Sequence, residues 1–202
     1  NPETGDGRTS GSAASLCGIE RALADGDLVH LQLACARLEL LYAVAYAFGG
    51  IPLLYMGDEL GMCNDPGYLA DPAKADDNRW MHRPRMDWSV AERRAVPGTI
   101  EARLFTMFAA LAAARAAIGA LDAGGLLTVL PSPDPHVLCF TRTHPAHGTF
   151  TMLANFGPGT TVVRLADVGA GGAMVARAAS AHVTADGVAQ LGTVGYLWLV
   201  AP

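Results

Sequence analysis

The chain has 202 residues, of which 51% are hydrophobic and 16% are charged, and its formal net charge is −5. This is the composition of a globular protein, and it lacks the basic stripe that marks nucleic-acid-binding domains. No uninterrupted apolar run reaches the length of a membrane span, so we expect neither a nucleic acid nor a membrane as partner.

The first elements in chain order are a loop and two helices. Glycine-rich, polar residues 1–12 predict a loop, so the chain reads as one that begins inside a loop, and no signal-peptide pattern is visible. A short helix is predicted over residues 13–24 and ends at Asp25-Gly26-Asp27. Apolar residues then recur at helical spacing from Leu28 to Phe48, which predicts a long helix that ends at Gly49-Gly50.

A short apolar run, Ile51–Met56, follows the long helix and leads directly into Gly57-Asp58-Glu59. The run shows no alternation, which predicts a strand buried on both faces, as in a parallel sheet. Such a strand needs neighbours on both sides, and residues 1–118 contain no clear second strand. We therefore expect a partner segment to be missing from this part of the fold.

Residues 60–98 are polar and irregular, and a segment of this length without periodicity is often functional. A third helix is predicted over residues 99–118, with Thr99 as its N-cap.

The sequence pattern changes after Gly124-Gly125: from there on, turn signals recur about every ten residues. This spacing predicts an antiparallel β-sandwich. The chain is thus expected to have two domains, residues 1–118 (α/β) and residues 119–202 (all-β). The predicted strand runs are 126–130, 137–142, 149–155, 160–165, 174–178, 188–191 and 196–200.

Three stretches resemble a known family. The motif Asn1-Pro2-x-Thr4-Gly5-Asp6-x-Arg8 resembles the segment after the seventh barrel strand of amylosucrases. Residues 49–61 resemble the eighth strand of alpha-amylase-superfamily barrels, and residues 69–84 resemble the long loop that follows it in amylosucrases and sucrose hydrolases. The chain is therefore similar to the C-terminal portion of a sucrose-acting enzyme of that superfamily.

The resemblance implies the last part of a (β/α)8 TIM barrel over residues 1–118, followed by a β-sandwich. It implies retaining transfer of a glucosyl group from sucrose to glucan or water, with release of fructose, through a nucleophilic carboxylate and an acid/base carboxylate. In the family both groups lie on earlier strands. No catalytic residue and no cofactor are therefore expected in this chain, which would be inactive without the N-terminal half of the barrel.

Four residues are candidates for substrate binding by this resemblance. Arg8 matches an arginine that contacts the fructosyl or acceptor sugar, because a guanidinium offers forked donors to hydroxyl groups. Arg79 matches an arginine that pairs with an aspartate from the N-terminal half and closes the glucosyl pocket, so here it is expected to be unpaired. Trp80 is the best candidate to stack on a sugar ring, ahead of His82 and Trp88.

Asp58 is the fourth candidate. Its neighbour Glu59 is also a carboxylate, and two adjacent carboxylates could suggest an acid/base pair. Adjacent residues of a strand face opposite ways, so the two carboxylates cannot point into one site. We interpret both as hydrogen-bond acceptors that fix the loop.

Metal binding is not predicted. The acidic loop residues do not match the spacing of the EF-hand loop, so a solvated acidic loop is expected. Cys17, Cys35, Cys63 and Cys139 form no C-x-x-C pair, which argues against zinc. Buried free thiols are expected instead, and these are typical of a reducing compartment such as the cytoplasm.

Two alternatives stay open. A sucrose phosphorylase-like enzyme of the same superfamily would need a phosphate site, for which Arg79-x-x-His82-Arg83-x-Arg85 is the only basic cluster. A non-catalytic carbohydrate-binding module would need exposed aromatic residues on the sandwich. The aromatic residues there fall mostly within strand runs and are expected to form its core.

Overall fold

The structure is a computed structural model that describes residue 5 and residues 10–132 and 134–201. The chain divides into two compact units. The first comprises Asn1–Leu38 and Leu54–Thr106, and the second comprises Glu39–Leu53 and Met107–Pro202. The predicted domain boundary between residues 118 and 119 stays a prediction.

The first predicted helix is in fact two helices, α1 (Ala13–Cys17) and α2 (Ile19–Asp25). The break lies at Gly18, whose φ of +98° is a left-handed conformation that costs little without a Cβ. The Ser12 hydroxyl caps α1 by accepting a hydrogen bond from the Ser15 N–H. Helical spacing in the sequence continues across Gly18, so only the backbone conformation reveals the break.

The long helix α3 (Leu28–Phe48) has the bounds that the sequence predicted. It is apolar around most of its circumference and is long and apolar enough, by length and composition, to cross a membrane. Its uninterrupted apolar runs are shorter than a membrane span, as expected, because His30, Gln32, Arg37 and Glu39 divide them without breaking the helix. Length and composition alone do not distinguish a core helix from a membrane span.

The apolar run 51–56 was predicted as a buried strand, and this prediction is wrong for the described structure, in which the run forms no strand. Ile51 is 95% exposed and Leu53 is 82% exposed. A strand exists only through its pairing, and every strand pair of the described residues joins strands that follow residue 125. The run keeps its apolar side chains without the neighbours that would cover them.

The segment predicted to be irregular consists of short helical turns. Aspartates begin three of these turns, each with a carboxylate that accepts a hydrogen bond from a backbone N–H two residues further on. The turns are Asp58–Leu60, Pro66–Ala70, Asn78–His82, α4 (Trp88–Glu92) and Arg93–Ala95.

Helix α5 (Ile100–Ala116) follows these turns. The Thr99 hydroxyl accepts a hydrogen bond of 3.2 Å from the Ala102 N–H, which confirms Thr99 as the N-cap.

The second unit contains one six-stranded antiparallel sheet in the order β1-β2-β3-β6-β4, with β5 paired to β6. The predicted antiparallel β structure is confirmed, but the strands form one curled sheet instead of two stacked sheets. The two runs predicted at 188–191 and 196–200 are one long strand. The strands are β1 (Leu126–Leu130), β2 (Val137–His144), β3 (Gly148–Asn155), β4 (Thr161–Arg164), β5 (Met174–Val183) and β6 (Val188–Ala201).

The curl originates in the middle of β5 and β6. The first half of β6 pairs with β4 and the second half pairs with β3. Between the halves the register with β5 shifts, and Ser180 and Val194 have φ of 47° and 50°. Bulges of this kind bend a strand and increase its twist. The sheet therefore curls, and apolar side chains from β2, β3, β4 and β6 pack together in one core cluster.

Asn155 at the end of β3 forms hydrogen bonds with the bend in the middle of β6. Its buried side-chain amide donates to the carbonyl oxygens of Leu191 and Gly192 at 3.2 Å and 3.0 Å, and its carbonyl accepts from the Gly157 N–H at 2.8 Å. A buried amide with this many partners specifies the local geometry, because each lost bond would leave a buried group unpaired.

Candidate functional site

Three of the four predicted substrate-binding residues, Asp58, Arg79 and Trp80, lie in the first unit. Arg8 lies outside the described residues, and its role stays a prediction. The sequence between Gly57 and Trp88 therefore contains the candidate site.

Asp58 is buried and begins a short turn directly after the apolar run. Gly57 and Gly61 flank this turn with φ of +89° and +71°, and a Cβ at Gly57 would collide with the Met62 side chain. The Glu59 carboxylate accepts a 3.0 Å hydrogen bond from the Gly57 N–H, which is the loop-fixing role expected for it. The substrate-binding role predicted for Asp58 stays a prediction.

Arg79 was expected to be unpaired, and this expectation is wrong. Its Nε donates to both carboxylate oxygens of Asp77, at 2.8 Å and 2.9 Å, and its Nη2 lies 2.7 Å from Asp77 Oδ2. Asp77 is also the N-cap of the turn, because Oδ1 accepts a 3.0 Å hydrogen bond from the Arg79 backbone N–H. The reason is local: a capping aspartate lies within reach of a long side chain two residues further on.

The pair is charged over the whole physiological range. Hydrogen bonds from the Arg79 side chain and backbone lower the pKa of Asp77 to about 2, and Asp77 in turn raises the pKa of Arg79. The Arg79 side chain is nevertheless 57% exposed, so its guanidinium is held in place and still accessible.

Trp80 is half-buried and lies close to two cations. Lys74 Nζ is 5.3 Å and the Arg83 guanidinium carbon is 5.8 Å from the centroid of its ring. Both distances are typical of cation–π contacts. Lys74 is itself paired with Asp71, at 2.7 Å. The ring of Trp80 thus has cationic neighbours within its own loop, and its predicted stacking on a sugar stays a prediction.

Trp88 offers a more open indole, because it is 73% exposed at the start of α4. The His82 ring lies 6.3 Å from the Tyr55 ring, centroid to centroid, and its Nδ1 is buried without a hydrogen-bond partner among the described residues.

Sequence reasoning missed the pairing role of Asp77 and the cationic neighbours of Trp80. The signal was present as the Asp-x-Arg spacing of Asp77 and Arg79 and the Asp-x-x-Lys spacing of Asp71 and Lys74. Other acidic residues of the loop also cap turns: Asp65 Oδ1 accepts from the Gly67 N–H at 2.8 Å, and Asp87 Oδ1 accepts from the Ser89 N–H at 2.9 Å. Over the described residues, no three His, Cys, Asp or Glu side chains are grouped as metal ligands.

The aromatic residues of the sheet bear on the binding-module alternative. Four of the five are fully buried in the core, as the sequence predicted, whereas Phe156 is exposed. The buried four do not form a surface on which a glycan could stack. They are Phe140, Phe150, Tyr196 and Trp198.

Comparison with known proteins establishes the fold. No protein-family model matches the sequence. A pullulanase mutant from Paenibacillus barengoltzii complexed with maltotriose matches 85% of this chain, with 20% identity and a TM-score of 0.59. The catalytic module of SpuA, a glycogen-degrading pneumococcal virulence factor, matches 95% of the chain, with 13% identity and a TM-score of 0.64.

The chain therefore shares its fold, a curled antiparallel β domain with accompanying helices, with part of these carbohydrate-degrading enzymes. It covers 26% of the pullulanase chain and 34% of the SpuA module. The chain thus corresponds to about a quarter to a third of each of these proteins.

Proposed function

We propose that this chain is the C-terminal part of a glycoside hydrolase or glucosyltransferase of the alpha-amylase superfamily that acts on α-glucosides. The observation that carries the proposal is the fold similarity, which extends over 85–95% of the chain and relates it to enzymes that degrade glucans. In this proposal the catalytic carboxylates come from the N-terminal half of a barrel, which would also supply strand neighbours for residues 51–56.

The more specific proposal is that sucrose is the glucosyl donor, with glucan or water as acceptor. It is supported by the resemblance of residues 69–84 to the loop of amylosucrases and sucrose hydrolases, and by the geometry of Arg79. Its guanidinium is held by Asp77 and remains exposed, so it is oriented for a second acceptor. A guanidinium so held suits vicinal sugar hydroxyls or a carboxylate at the base of a pocket.

The uncovered apolar run supports the proposed partner. Ile51 and Leu53 are exposed in a segment whose residue types favour a buried parallel strand. Strands from a preceding barrel half would pair with this segment on both sides and bury these side chains. Free cysteines at all four positions are consistent with the further proposal of a cytoplasmic location.

A second candidate is an enzyme that degrades glucans, because the structural neighbours are a pullulanase and a glycogen-degrading enzyme. One experiment separates the two. The full-length product of the gene is incubated with sucrose, maltotriose, pullulan or glycogen, and released fructose, glucose and oligosaccharides are quantified.

Fructose released from sucrose in amounts that match the transferred or free glucose would support the sucrose proposal. Cleavage of pullulan or glycogen without fructose release from sucrose would favour the glucan-degrading enzyme. If none of the four sugars is turned over, the proposed function is wrong.

A further inference from the structure

We infer that Asp77 is a positioning residue for sugar binding, acting through Arg79. This inference rests on the proposed function, in which Arg79 lies in the sugar site. The structure adds a partner for Arg79 within its own loop, two residues away, where the resemblance implied a partner in another part of the barrel.

The contact geometry separates the two edges of the guanidinium. Asp77 occupies the Nε edge, accepting from Nε with both oxygens and lying 2.7 Å from Nη2. A guanidinium has five N–H groups, so the two on Nη1 and the second on Nη2 stay available for another acceptor. Asp77 thus fixes the orientation of the Arg79 guanidinium and leaves free the N–H groups that would bind a ligand.

The backbone contact makes the arrangement stiff. Because Asp77 Oδ1 also accepts from the Arg79 backbone N–H at 3.0 Å, one carboxylate holds both ends of the arginine. A free arginine samples many rotamers, and ordering them on binding weakens affinity. Holding the side chain before the sugar arrives removes most of that cost, so Asp77 strengthens binding without touching the sugar.

The loop provides a matched control. Asp65 caps its own turn in the same way, with Oδ1 accepting from the Gly67 N–H at 2.8 Å, but it has no arginine partner among the described residues. Asparagine caps turns about as well as aspartate. Asp77→Asn and Asp65→Asn therefore keep both turns, and only Asp77→Asn removes a carboxylate that holds a guanidinium.

The test measures steady-state kinetics of the full-length gene product on whichever of sucrose, maltotriose, pullulan or glycogen it turns over. Four variants are compared with the parent: Asp77→Asn, Asp65→Asn, Arg79→Ala and the double variant Asp77→Asn with Arg79→Ala. Asp77→Asn is expected to raise KM about tenfold with kcat within about twofold, because the lost interaction stabilises ground state and transition state alike.

Asp65→Asn is expected to leave both constants within about twofold of the parent. The KM and kcat of the double variant should lie within about twofold of those of Arg79→Ala, because Asp77 affects sugar binding only through Arg79. Thermal melting of each variant shows whether the turns are kept.

The outcomes distinguish the inference from the proposed function. Additive effects of the two substitutions, or an unchanged KM in Asp77→Asn alongside a raised KM in Arg79→Ala, would overturn the inference and leave the proposed function standing. An unchanged KM in Arg79→Ala would remove both the sugar-site role of Arg79 and the inference. A parent enzyme inactive on all four sugars would overturn the inference together with the proposed function.

Discussion

At the scale of single residues, the candidate loop is organised by aspartates that serve as caps. Asp77 differs from Asp65 and Asp87 because its carboxylate holds a guanidinium as well as a backbone N–H. The same residue type at the same position of a turn thus has two roles, and the difference is the residue two places further along the chain.

The charge state of Asp77 gives a first prediction. Its pKa is lowered to about 2 by Arg79. The contribution of the pair to the free energy of unfolding is therefore fully present above the ordinary aspartate pKa, and it is lost as the pH falls through about 2. Carboxyl-carbon NMR of Asp77 should therefore show titration near pH 2. In Arg79→Gln the midpoint should move up toward the ordinary value of about 3.9. An unchanged midpoint in that variant would show that the pair does not form.

The cysteines give a second prediction. Burial raises the thiol pKa of Cys17, Cys63 and Cys139 to about 11 and also raises that of Cys35. The thiolate is the reactive form, so iodoacetamide at pH 8 should label the folded protein slowly and label all four positions in denaturant. Mass spectrometry after a timed quench measures this. Rapid labelling of Cys17, Cys35 or Cys139 in the folded protein would contradict the burial of these three thiols.

Gly57 gives a third prediction, because its conformation and its contacts both require a glycine. Its φ is +89°, and an added Cβ would meet the Met62 side chain. Gly57→Ala should lower the free energy of unfolding by about 2–3 kcal/mol. Gly26→Ala is the control, since Gly26 has φ of +67° with no atom within 4 Å of the added Cβ, and should cost about 1 kcal/mol. Equal losses in urea denaturation would exclude a steric role for Met62.

At the scale of secondary-structure elements, a polar contact joins α3 to the sheet of the second unit. Glu39 on α3 accepts from Arg177 on β5 at 2.9 Å and from the Tyr196 hydroxyl on β6 at 3.0 Å. The Arg177 Nε also donates to the Tyr196 hydroxyl, at 2.6 Å. Burial and the Glu39 charge raise the pKa of Tyr196, so the hydroxyl stays protonated and donates to Glu39.

This contact leads to a fourth prediction. Tyr196→Phe keeps the buried ring and removes only the hydroxyl, so Glu39 loses one donor and Arg177 loses one acceptor. The loss should be about 1–3 kcal/mol in the free energy of unfolding. Thr143→Val removes an exposed hydroxyl that contacts Thr149 at 3.2 Å and should change stability by less than about 0.5 kcal/mol. Chemical denaturation of both variants compares them, and equal effects would argue against a stabilising network.

At the scale of the whole chain, the run 51–56 leaves contiguous apolar side chains exposed, with Ile51 95% and Leu53 82% accessible. Exposed, contiguous apolar residues mark surfaces that bind another protein segment, a membrane or a ligand. The partner proposed for this surface is the barrel half that would supply neighbouring strands.

A fifth prediction follows for the isolated chain. It should bind a hydrophobic dye such as ANS, and the double variant Ile51→Lys with Leu53→Lys should bind about half as much or less, because both side chains lie on the exposed run. Its melting temperature should stay within about 2 °C, since neither residue is buried. Unchanged dye binding in the double variant would place the exposed apolar surface elsewhere.

Much of the local structure could be predicted from the sequence because it depends on neighbours in the chain. The bounds of α3, the Thr99 cap and strands such as β1 follow from periodicity and turn residues. The break at Gly18 could not be predicted, because helical spacing continues across it and only the backbone conformation divides α1 from α2.

The sequence by itself determined the long helix α3, helix α5 and most of the antiparallel strands, and it predicted the polar segment 60–98 that contains Arg79 and Trp80. Only the tertiary structure decided that 51–56 lacks strand partners, that six strands make one curled sheet, and that Arg79 is held by Asp77. The physical reason is the same in each case. Helices and caps form through contacts a few residues apart, whereas strand pairing, sheet curvature and the direction of a charged side chain depend on which groups meet in space.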